Sequence, residues 1–415
     1  MTAAKTFFAT LIMAALAKSA LALDAPRVAQ IESLFHEFSH PNAPGASVLV
    51  IQNGKPIFAK GFGLADLEKK TPCTTNSNFR LASVTKQFTA MAVLILVERG
   101  NLSLDERLPN FFAEFPAYGN QITVRHLLTH TSGLLDYEDL IPPGTTIPVL
   151  DQDVLRILIE NTSDSPPAGA YRVAWRENAV ENEARLKREL EQRASRPPEA
   201  PKRTTHFPPG SQFRYSNSGF ALLALIVEVR SGETFARFLK ENIFEPLKMA
   251  NTLAYEQGLS LVPNRAFGHS PKNDPLSPSD GEKGKAGGSA LERTDQSLTS
   301  SVLGDGGIYS SVVDLAKWDA ALYGRKLISE PMLRVAFSSA TATDKPGRGY
   351  GFGWFIGEYR GLKEIFHSGD TIGFRTRIAR FPEKKFTVII LANRADAKLD
   401  ELPHRIADVV LFAGK

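Results

Sequence analysis

The chain has 415 residues, 43% hydrophobic and 23% charged, an ordinary globular balance with ample length for a large core. A net charge of +4 over that length, with no basic stripe interleaved with aromatics, leaves no nucleic-acid footprint. The one cysteine, Cys73, excludes an internal disulfide and any cysteine-based metal cluster.

Lys5, the apolar run 6–17 and the small-x-small triplet Ala20-Leu21-Ala22 read as a signal peptide over residues 1–22, which makes the chain secreted or periplasmic. The run is too short to span a bilayer, and no later segment is long and apolar enough for a stable membrane span. Residues 27–38 carry a helical stripe of Val28, Ile31, Leu34, Phe35 and Phe38, ended by Pro41 and Pro44. Two β-rich runs, 46–52 and 56–64, flank the hairpin signal Asn53-Gly54-Lys55. Ser83 then leads into an apolar helix, 87–99, closed by Gly100 and Asn101. Further helices are expected at 123–130, which runs into Thr131-Ser132-Gly133-Leu134, and at 151–160. Residues 162–205 change character, with prolines, little apolar content and a charged run at 175–193, and read as a surface insertion. Helices follow at 220–230, 235–244 and 314–322, with a second loose insertion of Gly, Pro, Ser and Lys at 270–294. The glycines of 304–311 imply a backbone that bends or packs closely. Four strands are expected at 350–356, 363–367, 375–381 and 385–392, and a closing helix at 402–412.

The order is nested. Strands and a helix stand at both ends of the chain, with a mostly helical middle. This predicts an α+β fold: a mainly antiparallel sheet built from both chain ends with flanking helices, plus a helical lobe from the middle. Residues 23–415 then form one catalytic domain, with its site in the cleft between sheet and lobe.

The chemistry starts at Ser83-Val84-Thr85-Lys86. A serine hydroxyl is a poor nucleophile at neutral pH without a base beside it. On a helix a lysine three residues on lies one turn along the same face. Desolvation disfavours an ammonium, which is how a buried lysine becomes a usable base. The leaving group also needs a proton, and a phenol near a lysine can accept one and return it. Tyr215-Ser216-Asn217 supplies that phenol; Tyr118-Gly119-Asn120 has the same spacing but lies in a polar linker. A third element should run as a strand edge beside the serine, and His367-Ser368-Gly369-Asp370 fits. The backbone N–H groups of Ser83 and Asp370 would form the oxyanion hole. Lys285-Ala286-Gly287 matches a lysine form of that element but has no strand around it.

Taken in order, Ser83-x-x-Lys86, Tyr215-x-Asn217 and His367-x-Gly369 resemble the penicillin-recognising serine hydrolases. More narrowly, the chain resembles the class C β-lactamase-related family, which includes D-alanyl-D-alanine carboxypeptidases, D-aminopeptidases and esterases. Residues 125–134, Pro209-Gly210, 304–311 and Tyr350-Gly351-Phe352-Gly353-Trp354 carry the likeness further. The resemblance implies a β-lactamase/transpeptidase-like fold and no cofactor. It implies Ser83 as acylated nucleophile, Lys86 as its proton acceptor or electrostatic partner and Tyr215 as general base and acid. Asn217, His367 and Gly369 would meet the substrate. Class C β-lactamases carry lysine where this chain has His367, a departure that resembles the carboxypeptidase and esterase members. A mostly uncharged imidazole should hold a substrate carboxylate less firmly than an ammonium.

The expected function is therefore a serine hydrolase that cleaves an amide or ester of a small molecule or peptide, most simply a peptidase or esterase. A β-lactamase proper is the nearby alternative, and a non-catalytic binding module of the same fold the more distant one. His126 and His130, four apart, lack the glutamate and third ligand of a zinc protease, so no metal site is expected and a structural role fits them better. Asp305 reads as a turn-former and Cys73 as a chance small residue.

Overall fold

The computed structural model describes residues 23–141, 145–161, 204–272 and 291–413. The expected signal peptide, most of the 162–205 insertion and Lys285 lie outside the described residues. Helix α1 (Ala25–Ser33) opens on Asp24, whose carboxylate accepts the Arg27 N–H at 2.9 Å. The hairpin follows as β1 (Ala46–Gln52) and β2 (Lys55–Phe62). At the other end of the chain come β3 (Phe355–Tyr359), β4 (Leu362–Thr371), β5 (Phe374–Phe381) and β6 (Phe386–Ala392). Together with two short strands at 341–342 and 349–350 they make one eight-stranded sheet, ordered 341–342, 349–350, β3, β4, β5, β6, β1, β2. All its pairings are antiparallel, and β1 closes on β6 with Ala46 opposite Ala392. The two chain ends thus build the sheet, as expected.

Strands β1 and β6 are apolar on both faces, so each sheet face carries its own core. Val48, Val50, Val388 and Ile390 pack with Ile31 of α1 and Ile406 of the closing helix 402–411. Leu49, Ile51, Ile389 and Leu391 turn the other way, toward α2 (Lys86–Glu98) and the helical lobe. The lobe comprises α3 (Val124–Leu128), α4 (Asp151–Glu160) and α5 (Asn217–Ser231). Helices α2 and α5 are buried all round, each large aliphatic side chain contributing about 1.5–3 kcal/mol.

Three expectations are corrected. The run 350–356 is not one strand: residues 351–354 break it, with Gly353 at φ +77°. A Cβ at Gly353 would lie 2.7 Å from the Lys86 carbonyl oxygen, so the break exists to let this turn press on the start of α2. The strand expected at 363–367 runs on to Thr371, because the polar stretch through Asp370 pairs with β5 up to a two-residue turn. The second insertion is shorter than expected, since His269–Pro271 and Leu291–Arg293 pair as strands at its two ends.

Gly369 sets how closely β4 approaches the serine segment. A Cβ there would stand 2.2 Å from the Leu81 carbonyl oxygen and 2.3 Å from Thr376 Oγ1, one of them immovable backbone. Gly369→Ala is expected to push the strand off Ser83, lowering stability by about 2 kcal/mol and abolishing acylation. Urea unfolding and active-site labelling of the variant check this, and a labelled protein of native stability would refute it.

Candidate active site

Ser83 sits in a 3-10 turn, Ala82–Thr85, that feeds directly into α2. The preceding Ala82 holds φ +48°, a left-handed conformation that a side-chain-bearing residue adopts at a cost of about 1–3 kcal/mol. Arg80 braces the approach from below, donating to the Gly306 and Ser300 carbonyls at 3.2 and 3.0 Å. Lys86 follows one turn later and is fully buried. Its Nζ donates to Ser83 Oγ at 3.1 Å, to Asn217 Oδ1 at 2.8 Å and to the Asp305 carbonyl at 2.9 Å. An ammonium has three donors and no acceptor, and here each donor has its acceptor. The group also lies 4.9 Å from the centre of the Tyr215 ring and 5.5 Å from that of Phe220.

Tyr215 and Asn217 arrive together at the start of α5. The Asn217 N–H donates to Asp136 Oδ2 at 3.0 Å, which fixes the first helical turn. The Tyr215 hydroxyl is buried and has no hydrogen-bond partner among the described residues. Burial raises its pKa, while the Lys86 charge and the Ser83 and Lys86 groups beside it pull it down. The alternative Tyr118 takes no part: its hydroxyl donates to the Leu158 carbonyl at 2.8 Å inside the lobe.

The third element lies on β4. Beyond Phe366 no strand among the described residues pairs with β4 on its β3 side, so the segment 367–371 has a free edge there. Thr371 and Phe374 close the hairpin and exchange hydrogen bonds, so by alternation the peptide groups of Ser368 and Asp370 point to that edge. The Asp370 N–H is therefore available at the edge, as an oxyanion donor requires.

His367 lies on this strand with both ring nitrogens bonded inside the protein. Its Nδ1 donates to the Ser368 carbonyl at 2.6 Å, and its Nε2 accepts from the Tyr350 hydroxyl at 3.1 Å. Burial keeps the Tyr350 hydroxyl protonated, with its pKa pushed well up. Burial and the Lys86 charge lower the His367 pKa to about 3, so the imidazole is neutral. Both ring nitrogens are engaged within the protein, and the imidazole presents no charge to the cleft.

Several participants escaped the sequence reading. Asp305, expected as a turn-former, supplies the carbonyl that holds Lys86, while its carboxylate accepts from Tyr137 Oη at 2.9 Å. Asp151 fixes that turn by accepting the Leu303 and Gly304 N–H groups at 2.8 and 2.9 Å. Burial, with Asp151 and Asp136 nearby, pushes the Asp305 carboxyl up to about 7 against the pull of Lys86. Glu138, beside Asn217, is likewise pushed up to about 7 by partial burial and the charges of Asp305 and Asp136. Asx and Glu residues are too common in turns for any of these to stand out in a sequence. His126 caps α3: Thr123 Oγ1 accepts the His126 N–H and His126 Nδ1 accepts the Thr123 N–H, both at 3.2 Å. Cys73 is buried against Gly45, where a Cβ would come within 2.7 Å of its sulfur.

The neutral His367 makes stability depend on pH. Its pKa falls from 6.5 when unfolded to about 3 when folded. Between those values the unfolded chain binds the proton and the folded chain does not, so this contribution is complete above 6.5 and is lost as pH falls. Replacement by glutamine should shrink the drop in unfolding free energy between roughly pH 7 and pH 5 by about 2 kcal/mol. Urea midpoints at the two pH values measure it; an equal drop in both proteins would contradict the neutral assignment.

A family model described as Beta-lactamase matches residues 31–411. Penicillin-binding protein 4* of Bacillus subtilis is 28% identical over 394 residues, covering 92% of this chain and 75% of its own length. Protein flp of Staphylococcus aureus is 24% identical over 375 residues, and the match spans 88% of this chain but only 62% of that protein. Among solved structures, the octameric penicillin-binding protein homologue from Pyrococcus abyssi superposes with a TM-score of 0.67 at 26% identity, over 94% of this chain and 78% of that one. D-amino acid amidase from Ochrobactrum anthropi shares the fold, with a TM-score of 0.69 at 20% identity over 94% and 99% of the two chains.

Proposed function

The chain belongs to the beta-lactamase family of serine hydrolases, and from that premise we propose that it cleaves an amide or ester through an acyl-enzyme on Ser83. The observation that carries this reading is the Lys86 ammonium, bonded at once to the Ser83 hydroxyl, the Asn217 amide oxygen and the Asp305 carbonyl. With all three donors occupied, Lys86 acts as the electrostatic partner. Tyr215, whose oxygen is the uncommitted group beside Ser83, takes the serine proton as the phenolate, the form that the Lys86 charge favours against burial. Serine attacks the carbonyl carbon, and the N–H groups of Ser83 and Asp370 stabilise the oxyanion. Tyr215 returns the proton to the leaving group, and water repeats the sequence to release the acid. Asn217 meets the substrate amide or ester, and Gly369 gives it room at the edge of β4.

A peptidase or esterase fits better than a β-lactamase, because the neutral His367 brings no cation to a substrate carboxylate. A binding module would have no need of serine, lysine and tyrosine gathered in one cluster. A fluorophosphonate or penicillin probe should leave its adduct on the peptide containing Ser83. Ser83→Ala should remove that adduct and lower turnover by about three orders of magnitude with the fold retained. p-Nitrophenyl esters or D-amino acid peptides should turn over faster than nitrocefin. No adduct, or an adduct that survives Ser83→Ala, ends the enzyme reading; nitrocefin as the best substrate restores the β-lactamase alternative.

We propose in addition that residues 1–22 direct export and are removed. The mature protein recovered from the periplasm or medium should begin at Leu23; an exported protein that retains Met1 would refute the cleavage.

A further inference from the structure

We propose that His130 is a positioning residue for Tyr215, holding the chain on both sides of the phenol. The inference rests on the reading of Tyr215 as the acid and base. The N–H of Arg214 donates to the His130 carbonyl at 2.9 Å, and the N–H of Ser216 donates to His130 Nδ1 at 3.0 Å. One residue thus accepts from the backbone N–H of the residue on either side of Tyr215. Its ring lies under the tyrosine as well, with centroids 4.2 Å apart and planes at 32°. Tyr350 and Phe220 close the stack on His130 at 4.6 and 5.0 Å. The imidazole is 1% exposed and fixed in place.

The backbone underlines the point. His130 stands just past the end of α3 at φ +56°, a left-handed position where glycine or asparagine is the unstrained choice. Here the position carries an imidazole instead, and its Nδ1 acts where a backbone carbonyl would in a ladder. Because Nδ1 accepts, the ring proton is on Nε2, a buried atom with no hydrogen-bond partner among the described residues. A ring in that state has no lone pair to offer a substrate, which excludes His130 as the base and leaves it to place the true one. Burial and the Lys86 charge hold its pKa well below the usual histidine value, so the anchor does not titrate near neutrality.

Two replacements separate the anchor from the packing. His130→Phe keeps a ring and removes the acceptor; His130→Asn keeps an acceptor near the Nδ1 position and tolerates the left-handed backbone. Each is assayed on a p-nitrophenyl ester and on the unactivated alkyl ester of the same acid, beside Tyr215→Phe, with folding followed by urea midpoint. A displaced phenol fails chiefly at protonating a poor leaving group, whereas a smaller folded fraction lowers both rates alike. His130→Phe should lose about tenfold in kcat on the activated ester and about a hundredfold or more on the alkyl ester, with KM little changed. His130→Asn should stay within about threefold of the native enzyme on both. Equal losses of His130→Phe on the two esters, or an Asn variant as damaged as the Phe variant, would overturn the proposal. A Tyr215→Phe enzyme without leaving-group dependence would instead fail the reading of Tyr215, and the anchor is then judged separately. Nitrogen-15 NMR of the native protein should find His130 neutral with its proton on Nε2 and the Ser216 amide slow to exchange. A proton on Nδ1 would overturn the anchor whether or not the variants fold.

Discussion

The site depends on one buried ammonium. Removing Lys86 from water costs several kcal/mol, and the structure offsets this with three short hydrogen bonds and two aromatic faces. The acceptors lie 3, 131 and 219 residues away in sequence. No local segment can satisfy the charge, so the lysine is at ease only when α2, α5 and the Asp305 turn have all met. That requirement explains the crowding around it: Gly353 lets the turn after Tyr350 touch the lysine backbone, and Gly304 lets the Asp305 turn pack against Phe220 of α5. The cation bonded to the serine is also a constraint on the assembly of the lobe and the sheet.

The same charge organises the carboxylates around it. Asp136, Glu138 and Asp305 are each raised by burial, and each is drawn back by Lys86. None forms a direct ion pair with the lysine among the described residues; they act through a shared field while its donors bond neutral oxygens. This arrangement keeps the ammonium directed at Ser83 and Asn217. A carboxylate in direct contact would compete for a donor and turn the lysine away from the serine.

Much of this was legible in the sequence, for reasons that differ from residue to residue. Ser83 and Lys86 could be read because one helical turn fixes their relation whatever the rest of the fold does. Strands β1 and β6 could be read because apolar runs bounded by turn residues suit a strand buried on both faces. The Asp305 carbonyl could not, since a backbone oxygen has no residue type to betray it. Nor could the end of β4: the polar sequence Ser368-Gly369-Asp370 looks like a turn, and only its pairing with Arg375, Thr376 and Arg377 holds it extended. The break at 351–354 was hidden in an aromatic run that favours a strand, where the approach to Lys86 overrides local preference. His130 was weighed as a metal ligand and dismissed, because its partner, the Ser216 N–H, is invisible until the lobe is folded.

The enclosure of Tyr215 bears on which substrates the site can use. The phenol is surrounded by His130, Tyr350, Phe355 and His367, rings that are neutral in this structure, and it feels the charge of Lys86 from one side. Burial in this lining raises the Tyr215 pKa, and the charge of Lys86 is the main interaction that opposes it. The same lining cannot repay the desolvation of a substrate carboxylate, because His367 already spends both nitrogens on Tyr350 and Ser368. An ester or amide without a charge next to the scissile bond loses less on entering. On the proposed reading, the third element then bears on the substrate by carrying no charge.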